Sequence, residues 1–185
     1  MALWSKVTWS DASQVMALVG KPFDFDDGGP IAPVLPDAYC RMLIDKQRVS
    51  DATTFVGHAL PRYEGIVWAV QALRSRWPEG KTDPIITEIL RWIDDPSDEQ
   101  RRIIHGMAQT ASSDSPASLL GLAVFLSGGS ISEPDLPPVL PPADASAKLA
   151  TAAVLIAAFA DPDPTDALMG AVAIGQTIAS MGARA

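Results

Sequence analysis

Helix starts and helix stops punctuate this chain so regularly that little room is left for a strand. Ser10 or Asp11 can cap a short helix that reaches Val19 and stops at Gly20. Pro36, with Asp37 in the first turn, opens a helix to about Gln47, and Ser50 or Asp51 caps another to about Ala59. Pro61 starts a helix reaching Trp77, closed by Pro78 and Gly80. Thr82 or Asp83 caps the next, with Pro84 in its first turn. Ser97 and Gln100 have capping-box spacing. Ser115–Pro116 opens a helix that ends near Ser127, at the Gly128–Gly129 pair. Asp144 caps an alanine-rich helix that Pro162 and Pro164 terminate, and Thr165 caps the last, to about Gly182.

This punctuation predicts an all-α fold, a single globular bundle of about seven or eight helices. Residues 36–185 form its body and residues 1–35 an irregular arm and loop, in one domain spanning 1–185. Trp4, Val7 and Trp9 are the groups by which the arm would dock. Helix pairs could stack as in a short solenoid, but no fixed-period repeat supports that arrangement.

Apolar spacing assigns the inner faces. Tyr63, Ile66, Val67, Val70, Leu73 and Trp77 share one face, as do Ile85, Ile86, Ile89, Leu90 and Ile93. Ile103, Ile104, Met107, Ala108 and Ala111 form a stripe with His105 opposite, facing solvent. From Lys148 to Ala160 almost no position is polar, which predicts a core helix with Ile156 buried.

Composition narrows the function classes. Hydrophobic residues make up 48% and charged residues 19%, the reverse of a disordered chain. The formal charge is −8, which repels phosphate backbones and predicts no nucleic-acid partner. Arg62, Arg74, Arg76, Arg101 and Arg102 are interrupted by acids and read as solvated helix faces. The N-terminus lacks a basic region followed by a long apolar core, so no signal peptide is expected. The run from Leu149 to Ala160 is far short of the ~20 residues of a spanning helix, so no membrane span is expected. With a single cysteine, these features predict a cytoplasmic protein.

No reactive constellation is evident. Asp24, Asp26 and Asp27 begin like a calcium loop, but Leu35 stands where its final glutamate belongs. Cys40, His58 and His105 lack metal-ligand spacing. His58 near Glu64 could serve as a base and Cys40 as a nucleophile, if a cleft joined them. The glycines of Ser127–Ser130 follow a helix instead of preceding one, which suits a C-terminal cap better than a phosphate cradle. No cofactor is expected.

Trp68 lies off the main stripe of its helix, on the side of Glu64 and Gln71. An off-stripe tryptophan is either an interface anchor or a second-layer core group. Trp68, Glu64 and Gln71 are therefore the candidate protein-binding residues.

The segments LPRYEGIVWAVQALRSRW, RWIDDPSDEQRR and SPASLLGLAVFLSGGSISEPDLPPVLPP resemble an uncharacterised all-helical bacterial family associated with type VI secretion loci. The resemblance spans about Ala59 to Ala183 and omits the N-terminal arm. It implies an accessory or adaptor role and transfers no catalytic residue. The function expected is a non-catalytic cytoplasmic adaptor that binds another protein. The alternatives are an enzyme assembled from Cys40, His58 and Glu64, or a small-molecule pocket lined by Trp77 and Trp92.

Overall fold

The computed structural model describes residues 3–20, 33–77, 82–133 and 135–183. Among the described residues there are nine helices and no strand. They are α1 (Ala12–Val19), α2 (Pro36–Asp45), α3 (Val49–Ala59), α4 (Arg62–Arg76), α5 (Pro84–Asp94), α6 (Asp98–Thr110), α7 (Pro116–Phe125), α8 (Ala145–Phe159) and α9 (Pro164–Met181). The acidic run Asp24, Asp26 and Asp27, and the stop at Pro78 and Gly80, lie outside the described residues.

Several ends are chemically where the sequence puts them. Asp11 accepts from Ser13 N while Gln14 reaches back to the cap, and Gly20 closes α1 at φ 77°. Asp83 accepts from the amides of Ile85 and Ile86, Ser97 from that of Gln100, and Ser115 from that of Ser118. Other ends differ. α3 starts after Arg48 with no side-chain cap, and Asp163, not Thr165, caps α9. Asp144 precedes α8 but pairs with Lys148 instead of the helix amides.

α4, α7 and α8 are the inner helices. α8 packs on α7, α4 and α3, while α9 covers α3 and α4. In α4 every residue from Gly65 to Val70 is buried, together with Ala72 and Leu73. Trp68 is fully buried, so of its two readings the second-layer core group holds, and as a candidate protein-binding residue it is corrected. Its indole Nε1 donates to the carbonyl of Ala171 in α9 at 2.8 Å. Two glycines make the slot it fills. A Cβ at Gly57 of α3 would stand 2.2 Å from Thr151 Oγ1 and 2.8 Å from the Trp68 ring. A Cβ at Gly175 of α9 would stand 2.1 Å from Val56 Cγ1 and 3.2 Å from Trp68 Nε1. Neither glycine needs a left-handed backbone; each is required by close helix approach.

α8 overturns a second expectation. Its buried face is Ser146, Ala150, Thr151, Ala153, Val154 and Ala158, whereas Ile156 is 41% and Phe159 60% exposed. Small residues turn inward because α7 and α4 approach closely, and the larger side chains are left on the rim.

The arm docks as expected. Trp4 is buried with its ring 6.2 Å from that of Phe55, and Val7 and Trp9 pack against the core. Lys6 N donates to Ala179 O and Ser5 Oγ to Ser180 O, tying the arm to the end of α9. α1 is the short helix expected within this region, capped by Asp11 and closed at Gly20. The buried apolar core draws residues from all nine helices.

Candidate functional site

The three signature segments meet at one end of the bundle. Arg62 Nη1 donates to Ser127 O at 3.3 Å and Nη2 to Ala143 O at 3.4 Å. Tyr63 Oη donates to Ile93 O at 2.8 Å, and the Tyr63 and Trp92 rings lie 5.9 Å apart. Arg101 is the largest departure from the sequence reading. Instead of lying on a solvated face it is 4% exposed. Its guanidinium donates to the carbonyls of Phe125 and Ser130 and to Asp98, and it lies over the Phe125 ring. Arg102 donates to Asp98, Ser130 O and Ser132 O. The paired arginines thus bind carbonyls at the end of α7 and hold the crossing after it. Hydrogen bonds from Arg102 and Arg101 hold the Asp98 carboxyl below the usual carboxylate range.

Turning Arg101 inward rotates α6 away from the predicted stripe. Ile104 and Ala108 are buried with it, while Ile103 is 47% exposed. His105 is half-buried, stacked on Phe125 with centroids 3.7 Å apart, and does not face solvent freely. Gly129, at φ 69°, could accept no Cβ without meeting Arg101 Nη2 at 2.9 Å. The glycine pair is a structural turn under a buried arginine, as a helix-end role requires.

Of the candidate binding residues, Trp68 is buried, Gln71 is exposed on α4, and Glu64 lines an open trough at the signature end. That trough runs past Lys6, Tyr63, Glu64, Pro96 and Met181. It shares Tyr63 and Pro96 with a neighbouring hollow of about 340 Å³ lined by Trp92, Ser127, Gly128 and Gly129.

Cys40 and His58 are not gathered with Glu64 there. The Cys40 thiol is fully buried beside Gln176, and burial pushes its pKa up to about 12. His58 is 5% exposed, with Nδ1 2.8 Å from Thr54 O and Nε2 buried without a hydrogen-bond partner. Trp77 lines a small cavity with Arg76 and Ala171, and Trp92 lines the hollow at the signature end. Among the described residues, no group of three or more His, Cys, Asp or Glu side chains is placed to hold a metal ion. No helix among them is long and apolar enough to cross a membrane.

The buried His58 makes stability pH-dependent. Burial is the main cause lowering its pKa from 6.5; Lys148 lowers it further, and the Thr54 carbonyl and Asp144 oppose this. The unfolded chain therefore binds a proton in the window just below 6.5 that the folded chain refuses, and stability falls as pH falls through it. His105, lowered by burial and by Arg101 and Arg102, acts in the same direction. Melting temperature should drop between about pH 7.5 and 5.5, with a shallower slope in His58→Gln. An unchanged slope would show that His58 is not held neutral by the fold.

A third feature was not read from the sequence. At the junction of α2, α3, α8 and α9 an apolar groove of about 620 Å³ is lined by Ile44, Val49, Phe159, Thr165, Leu168 and Met169, among others. Beneath it Ala158, Ala167 and Leu168 form a small cluster separate from the main core, flanked by Val49 and Leu155. Phe159 and Ile156, three residues apart on α8, and Met169 on α9 are exposed. The available signal was the two-sided apolar character of α8, which exceeds what one core face can use.

Fold and site define an all-α protein with a clamped crossing at one end and an open apolar groove at the α8–α9 junction. The chain belongs to a family of unknown function, DUF6931, whose model matches residues 39–179. The match begins at Tyr39, ahead of the signature segments, and leaves the N-terminal arm outside. No curated protein and no solved structure matches the chain.

Proposed function

We propose that this chain is a non-catalytic accessory protein that binds another protein through the α8–α9 groove. The observation that carries the reading is the exposed pair Phe159 and Met169 lining a groove beside a separate apolar cluster, with Ile156 exposed about one turn before Phe159 on α8. A groove between helix ends suits the apolar face of an amphipathic segment. Charge defines that segment further. The loop beside Phe159 and the start of α9 carry Asp161, Asp163 and Asp166, against Arg76 as the cation that pairs with two of them. The occupant is therefore an amphipathic segment with basic residues at its edge. A component or effector of type VI secretion is the partner class that the resemblance implies.

The test is a photo-crosslinking phenylalanine analogue at position 159, used in the native host. Crosslinks should map to an apolar segment flanked by lysine or arginine, and Ile156→Asp should abolish them while the melting temperature stays within a degree or two. Crosslinks no more specific than those from the exposed position Gln109 would overturn the reading.

A further inference from the structure

The crossing between α7 and α8 places apolar groups in solvent in an unusual way. Leu136 is 58%, Val139 53% and Leu140 75% exposed, in a stretch with four prolines, Pro137, Pro138, Pro141 and Pro142. Each proline fixes its own φ and pushes the residue before it towards extended backbone, so Leu136, Pro137, Leu140 and Pro141 are all restricted. The strap belongs to no helix or strand. It is nevertheless held. Val139 N donates to Ser130 Oγ at 3.1 Å, Ile131 N donates to Val139 O at 2.8 Å, and Arg102 holds Ser132 O at 2.9 Å. Arg62 holds Ala143 O at its far end. An extended, pre-ordered strip of proline and aliphatic side chains loses little entropy on docking, and its complement is a shallow groove lined by aromatic rings.

Such a groove lies next to it on the same chain. The hollow lined by Tyr63, Trp92, Pro96, Gly128 and Gly129 ends one residue before Ser130, where the strap begins. The trough continuing from it carries both Lys6 and Glu64, so the match to the strap rests on shape and apolar surface, not on charge. Ligand and receptor side by side on one face are what a two-fold interface requires, because rotation sets each against the other.

We propose that two copies of this chain associate at the signature end, each laying the exposed stretch Leu136–Leu140 into the Tyr63–Trp92–Pro96 hollow of the other. The occupant is a second copy because this chain carries both halves. The two reciprocal contacts form one interface, so each reinforces the other.

Sedimentation velocity across a concentration series reads the association, with circular dichroism and melting run on every variant. Leu140→Asp removes the most exposed strap side chain, and Gly128→Trp fills the hollow at a position where a Cβ would meet nothing within 4 Å. Wild type should form a dimer, and each variant alone should weaken it by ~10-fold or more, the loss expected for a central contact. Mixing the two variants should restore a heterodimer, since one intact strap meets one intact hollow. A wild-type monomer at all concentrations, a dimer indifferent to both variants, or a mixture that stays monomeric would each overturn the proposal. None of these bears on crosslinks at Phe159, so the fate of the α8–α9 groove is read separately.

Discussion

Trp68→Ala is expected to be the most destabilising single change in this protein, at about 3–5 kcal/mol. The ring is fully buried where α3, α4, α8 and α9 meet, and its slot is rigid. Two of its walls are the backbones at Gly57 and Gly175, so neighbouring side chains cannot relax into the cavity. The bond from Nε1 to Ala171 O is lost as well. Chemical denaturation should show a large drop in midpoint with the slope kept. Gly175→Ala should be comparably damaging from the opposite direction, because its methyl would press into Val56 and α9 would have to lift off α3. If Trp68→Ala melted within a few degrees of wild type, the junction would not be the centre of the fold.

Arg101→Met should rank next, at about 3 kcal/mol. Methionine keeps much of the aliphatic stem but leaves the carbonyls of Phe125 and Ser130 without the guanidinium that binds them. Charge-assisted bonds of this kind outweigh ordinary ones, and the buried Phe125 carbonyl then carries its desolvation penalty unrelieved, while Ser130 O keeps its bond from Arg102. The damage should concentrate at the crossing. Hydrogen exchange at Ser130–Ile131 and at Val139 should rise before the rest of the bundle responds. Arg102→Gln should cost less, since Arg102 is more exposed and Ser130 O would keep its bond from Arg101. Equal losses from the two would mean that burial of Arg101 contributes nothing particular.

Helicity and most helix starts are legible in the residues alone. Asp11, Asp83, Ser97 and Ser115 act on amides two or three residues away, and such contacts are encoded within one turn. The sequence misleads at Asp144 because a carboxylate before a helix can choose between the helix amides and a lysine one turn on, as it does with Lys148. Which face of a helix points inward was a different matter. Along α8 nearly every position is apolar, so periodicity cannot choose, and the choice fell to the close approach of α7 and α4, which admits alanines and expels Ile156 and Phe159. Along α6 the pattern nominated Ile103, but the carbonyls at the end of α7 drew Arg101 inward and turned the helix. Trp68 left the stripe of α4 because α9 offered a second wall with a glycine opposite the ring. Local chemistry set the elements; only the tertiary structure, by deciding which backbones come close enough to need small residues, decided what is core and what remains open to a partner.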